Sequence, residues 1–98
     1  MDMIETPSPN FNDRLLPVSM IVLHYTGMAD AAAAIARLLS PDAGVSCHYL
    51  VAEDGQVVRM VDETKRAWHA GNSYWRGITD VNSASVGIEI VNPGHVSA

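Results

Sequence analysis

The run Val18 to Tyr25 (VSMIVLHY) constrains this chain most. It is short, rich in β-branched residues and apolar on both sides of the alternation, which predicts a central strand covered on both faces. Thr26 and Gly27 end it. The next segment, Ala29 to Leu39, is alanine-rich, with Asp30 placed to cap its N-terminus and Ile35, Leu38 and Leu39 on one face. That pattern predicts one short helix, stopped by Ser40, Pro41, Asp42 and Gly44.

Upstream, Pro7, Pro9 and Pro17 interrupt a polar stretch, so residues 1–17 read as an extended lead-in on the surface. Downstream, Val45 to Ala52 returns to strand character. Glu53 to Gln56 is a hairpin signal, because Asp54-Gly55 suits the positive φ angles of a tight turn. Val57 to Val61 is the return strand. Residues 62–85 lack a clean period; Gly71, Asn72, Gly77 and Asn82 mark a long loop, and a loop of that length in a small domain is functional or partly disordered. Val86 to Val91 is the last strand, closed by Asn92, Pro93 and Gly94. The expected fold class is α/β, a mixed β-sheet with a helix packed on it.

Ninety-eight residues leave room for one compact domain. With 6 Lys plus Arg against 11 Asp plus Glu, the net charge is −5, the wrong sign for nucleic acid or an anionic membrane as main partner. Hydrophobic residues at 48% against 17% charged describe a folded chain rather than a disordered one. The single cysteine excludes an internal disulfide and the paired-cysteine zinc patterns. No stretch approaches the ~20 apolar residues that cross a bilayer. The start, Met1 to Pro7, is acidic where a signal peptide is basic and then apolar, so the expected compartment is the cytoplasm. A mature chain whose export signal had been trimmed reads the same.

Two residues stand out for chemistry. His24 lies at the C-terminal end of its strand, where ligands of open α/β sheets gather; it is either a metal ligand or a core histidine bonded to a carbonyl. Glu89 interrupts an apolar strand, on the face opposite Ile88 and Ile90. It sits either on a solvated edge or in a partly desolvated pocket that raises its pKa toward general-base range. Trp68 and His69, with Tyr74 and Trp75, place amphipathic rings on the glycine-containing loop, as platforms for a sugar or peptide or as pins to the core. His48 reads as structural within a strand pair, Cys47 as a buried inert thiol, and His95 as a solvated tail residue.

Six segments in one order resemble the N-acetylmuramoyl-L-alanine amidase type 2 family, relatives of peptidoglycan recognition proteins and phage lysozyme-type amidases. They are Pro7 to Asn10 (PSPN), Ile21 to Thr26 (IVLHYT), Val45 to Tyr49 (VSCHY), Asp54-Gly55, Ala67 to Gly71 (AWHAG) and Val86 to Ile90 (VGIEI). The resemblance implies a zinc-dependent hydrolase cleaving the amide between N-acetylmuramic acid and L-alanine in peptidoglycan or muropeptides. It implies His24 as the first of three zinc ligands, Glu89 as the catalytic acid–base residue, and Trp68 lining the muropeptide cleft; His69, the next residue on the same glycine-containing loop, is expected to bind substrate with it. Zinc would polarise the scissile amide and acidify its water while Glu89 takes the proton. Cys47 stands where some relatives carry a catalytic tyrosine, which disfavours that variant of the mechanism.

The family's other two zinc ligands, a second histidine and an aspartate or cysteine, lie downstream of the Glu89 strand, and the sequence stops at Ala98. Residues 1–98 are therefore expected to be the N-terminal portion of one amidase domain, holding zinc weakly and hydrolysing slowly by themselves. A non-catalytic muropeptide-binding module and a structural remnant are the alternatives. His24 and Glu89 are expected to face one cavity, bordered by Trp68 and His69.

Overall fold

Backbone pairing in the computed structural model, which describes residues 3–27 and 30–92, centres on β7 (Ser85–Ile90). This strand runs parallel to β3 (Met20–Tyr25) on one side and to β4 (Tyr49–Val51) on the other. β4 pairs antiparallel with β5 (Val57–Arg59), and β1 (Met3–Glu5) adds in parallel to β5, giving the order β1-β5-β4-β7-β3. A two-stranded ribbon of β2 (Phe11–Asp13) and β6 (Lys65–Ala67) stands apart from it. The fold is the expected α/β mixed sheet with a helix packed on it.

Helix α1 (Ala31–Leu39) starts at Asp30, whose carboxylate accepts from the Ala33 N–H at 2.8 Å. That bond satisfies one of the otherwise orphan amides of the first turn. Ala34 and Leu38 bury against Cys47, Leu50, Val58 and Met60, with Ile35 and Leu39 packed partly against them. The sheet side of this core is one register row: Ile4 opposite Val58, Val58 opposite Leu50, Leu50 opposite Glu89, and Glu89 opposite His24. Residues paired across strands share a face, so the row runs from apolar core beneath α1 to a carboxylate and an imidazole at the β3 edge.

Four expectations change. β3 lies at an edge of the sheet among the described residues and is not covered on both faces. Met20, Val22 and His24, on one face, are half-buried, whereas Ile21, Leu23 and Tyr25, on the other, are 58–67% exposed. The continuous apolar run thus hides two faces with different fates. The lead-in, extended as expected, is not bare: it carries β1 and β2, paired with β5 and β6, and on either side of Pro7 the Thr6 and Ser8 N–H groups donate to the Arg59 and Met60 carbonyls. Strand character around 45–52 and 57–61 narrows to β4 and β5: Ser46 N–H turns to the Trp68 carbonyl, and the His48 carbonyl is shared by the N–H groups of Met60 at 2.9 Å and Val61 at 3.5 Å, two residues against one, which breaks the regular ladder. Between them, Gly55 alone turns to positive φ (+87°); Gly55 N–H donates to the Ala52 carbonyl and Ala52 N–H to that of Gln56, a three-residue loop in which Asp54 keeps an ordinary backbone.

Residues 62–85 are also more regular than their composition suggests. They hold β6, a tight turn with Arg76 and Gly77 both at positive φ between the bridged pair Trp75 and Ile78, and the single-turn α2 (Val81–Ala84). Asp80 caps α2 by accepting from Ser83 N–H at 3.1 Å and pairs with Arg66 at 3.0 Å. The expected closing turn at Pro93 and Gly94, and His95, lie outside the described residues. No helix among the described residues is long and apolar enough to cross a membrane.

Candidate active site

A cavity of about 280 Å³ opens where α1 stops covering the sheet. His24 and Glu89 line its floor, Arg37 and Leu38 its helical wall, and Ser46, Trp68 and His69 its far side. His24 and Glu89 share it because they are register partners on the same face of adjacent parallel strands. Trp68 and His69, from the loop after β6, border this cavity rather than the α1 core.

Glu89 is half-buried, and desolvation raises its carboxyl pKa above the ordinary value, opposed by the nearby His24 and the Arg37 guanidinium. Burial disfavours the charged form, so this carboxylate is more basic than a solvated one. Cys47 is fully buried; desolvation first, and Glu89 second, push its thiol up to about 12. At that value it stays a protonated, inert thiol.

The loop is held by polar atoms that composition does not reveal. Asn82 Oδ1 accepts from His69 N–H at 2.9 Å and Ala70 N–H at 2.8 Å. Ser46 Oγ accepts from Trp68 N–H at 2.8 Å while donating to the Asn10 carbonyl, and the Trp68 indole donates to Asn12 Oδ1 at 3.2 Å. Arg14 Nη1 donates to the Ser83 carbonyl at 2.5 Å and the Ser85 carbonyl at 2.8 Å, tying the lead-in to the start of β7. Of these, only the turn holding Asn82 and Ser83 had a signal in sequence, Asp80 being an N-cap residue type ahead of it. Arg37 had none.

His69 borders the cavity, yet both ring nitrogens are bonded inside the protein. Nδ1 lies 3.0 Å from His24 Nε2, and Nε2 lies 2.9 Å from Ser85 Oγ. Burial, then the neighbouring His24, His48, Arg14 and Arg66, bring its pKa down to about 3, so it is neutral. Its polar atoms are engaged within the protein while its ring still lines the cavity. His48 is fully buried; Nδ1 accepts from Gly87 N–H at 3.0 Å and Nε2 donates to the Lys65 carbonyl at 2.8 Å. Its role is structural, as the flanking strand residues imply.

For a metal, the donor set among the described residues is one imidazole, His24, with a carboxylate beside it. No group of three or more His, Cys, Asp or Glu side chains able to hold a metal is found among them. Catalytic zinc takes three protein ligands and keeps one open position. His24 therefore fits as one ligand of such a site.

The sequence profile of the N-acetylmuramoyl-L-alanine amidase family, amidase type 2, matches residues 14–98. The chain belongs to this family. It is 39% identical to the N-acetylmuramoyl-L-alanine amidase AmiD of Escherichia coli K12 over 79% of its own length and 29% of AmiD's. A crystal structure of AmpD, a selenomethionine derivative, superposes at a TM-score of 0.81 with 29% identity, over 92% of this chain and 61% of that one. Escherichia coli AmiD in complex with its substrate, anhydro-N-acetylmuramic acid bearing L-Ala-D-γ-Glu-L-Lys, superposes at 0.70 with 39% identity, over 79% of this chain and 32% of that one. The chain spans under a third of the length of AmiD and less than two thirds of the AmpD structure.

Proposed function

We propose that the protein acts on muropeptides, cleaving the amide between N-acetylmuramic acid and L-alanine, with zinc as its metal. The observation that carries this reading is the pairing of His24 with a half-buried Glu89 on the floor of one cavity bordered by Trp68. Family membership supplies the substrate class. When bound, zinc supplies Lewis-acid polarisation of the scissile carbonyl and a more acidic water. His24 would contribute one ligand. Glu89, made more basic by desolvation, accepts a proton from the attacking water and returns it to the leaving L-alanine amine. Arg37 sits on the cavity wall with the charge to hold a peptide carboxylate. Trp68, its indole fixed by Asn12, offers an amphipathic ring to the glycopeptide.

The test is incubation of the chain, extended through the family's two downstream zinc ligands, with an anhydro-N-acetylmuramyl tripeptide and Zn2+, followed by mass analysis. Appearance of a free L-alanine N-terminus together with the sugar acid supports the reading. Retention of intact ligand without cleavage supports a binding module in its place, and neither binding nor cleavage overturns both.

A further inference from the structure

The hydrogen bonds behind His24 have a direction that follows from counting protons. Ser85 has one hydroxyl proton, and the Val81 carbonyl, 2.6 Å from Oγ, can only accept it. Ser85 Oγ must therefore accept from His69 Nε2, 2.9 Å away. A neutral imidazole whose proton is on Nε2 has a bare Nδ1. His69 Nδ1 then accepts from His24 Nε2 at 3.0 Å, which places the His24 proton on Nε2.

We infer that His69, set by Ser85, is a positioning residue that fixes the His24 tautomer so that Nδ1 is the bare nitrogen offered to a cavity ligand. Every proton along the chain points inward, toward Val81. A ligating histidine that donates its other N–H to a fixed acceptor is locked in orientation and made a better donor. The acceptor here is itself locked. Asn82 clamps the His69 backbone, and the His69 ring lies so close over Gly87 that an ideal Cβ there would sit 2.4 Å from Cγ and Cδ2. The histidine at 69 thus acts on the reacting centre through His24 and not on the substrate.

This assignment uses the proposed role of His24, but its test reads the tautomer and not turnover. Long-range 1H–15N correlation spectra of the imidazoles, recorded on the metal-free protein at a pH where His24 is neutral, report which ring nitrogen carries the proton. In the unsubstituted chain, His24 should be protonated at Nε2 and bare at Nδ1. Ser85→Ala touches His69 and not His24, yet it frees the His69 tautomer, so a His24 Nδ1–H population should appear. His69→Leu should produce the same mixture, while His69→Asn, whose Oδ1 can occupy the place of Nδ1, should restore the single tautomer. A merely packed His69 would leave the His24 tautomer unchanged by Ser85→Ala.

A His24 proton on Nδ1 in the unsubstituted chain, or a tautomer indifferent to both Ser85→Ala and His69→Leu, overturns the inference. Should Ser85→Ala lose its circular dichroism, the contrast between His69→Leu and His69→Asn decides it. Zn2+ added to the same sample separates the two proposals. A bare Nδ1 that shifts with zinc supports both; a bare Nδ1 that stays unshifted even at millimolar Zn2+ supports the tautomer assignment and counts against His24 as a zinc ligand.

Discussion

Gly87 and His69 are in mutual contact that only a glycine permits: a Cβ built on Gly87 falls 2.4 Å from two carbons of the imidazole. No real contact survives at that distance, so the glycine in the last strand is there for the histidine of a different segment. Gly87→Ala should destabilise by about 1–3 kcal/mol through overpacking. In a small domain that lowers Tm by roughly 4–8 °C per kcal/mol. The decisive measurement is a double-mutant cycle with His69→Ala, by urea denaturation. The alanine at 87 should cost much less once the ring is gone, and strictly additive losses would refute the contact.

In a form extended through the family's two downstream zinc ligands, Glu89→Gln should lower amidase turnover roughly 100- to 10,000-fold, the range of one general acid–base group, with zinc affinity retained. Its stability should move the other way. Because the folded-state pKa is raised, the native state binds more protons than the unfolded one between the ordinary carboxyl value of 4.5 and the raised value. Stability is therefore lost as pH rises through that window. Relative to the glutamate, the Gln variant should gain stability at pH 7, with the difference vanishing below pH 4. Unfolding midpoints at both pH values check this.

Two histidines give acid sensitivity of the opposite sign. His48 and His69 have folded-state pKa values lowered mainly by burial, His69 to about 3. The unfolded chain takes up protons below the ordinary value of 6.5 that the native state refuses. Their stabilisation is thus whole above pH 6.5 and lost as pH falls, each site contributing a slope of up to about 1.4 kcal/mol per pH unit. Urea midpoints measured from pH 7.5 to pH 5 should decline in this window, and in the Glu89→Gln background, which removes the opposing contribution of that carboxyl, the decline should be steeper. A flat profile would contradict the assigned neutrality.

Trp68→Ala should weaken muropeptide binding while leaving the far-ultraviolet spectrum and the urea midpoint within about 1 kcal/mol, since the indole borders the cavity and is only half-buried. Calorimetric titration with an anhydromuramyl peptide measures the first, denaturation the second. Wholesale unfolding would instead make the ring part of the core.

Asn10→Ala should cost about 1–3 kcal/mol although no apolar contact of note is lost. The two protons of its buried amide go to the carbonyls of Ser40 at 2.9 Å and Val45 at 2.8 Å, with the Leu38 carbonyl a longer, shared acceptor at 3.4 Å, closing the end of α1 onto the lead-in. Thermal denaturation reads the loss. Asn10→Asp should be worse than Asn10→Ala, because a carboxylate would face three acceptors.

Much of this architecture is legible along the chain. Asp30 before an alanine run marks the start of α1, and Glu53 to Gln56 marks a turn, because caps and turns depend on neighbours a few residues away. His24 and Glu89 are visible as polar interruptions of apolar strands. Less legible is β3, whose run of apolar residues suggests two covered faces although one of them is exposed. Hydropathy records which residues tolerate burial and not which neighbours arrive to bury them. The segment after residue 62 misleads in the other direction, since β6 and α2 are too short for any period to show.

By itself, then, the sequence determined the succession β3, α1, β4, β5 and β7, the cap of α1 and the turn after β4, and the few residues able to do chemistry. Only the tertiary structure decided that His24 stands opposite Glu89, that His69 is spent between His24 and Ser85, and that Gly87 exists to admit the ring. The physical reason is register. Alternation along a strand assigns each side chain to a face, but its partner on the next strand depends on how two distant segments slide against each other, and a shift of one residue would send Glu89 away from the cavity.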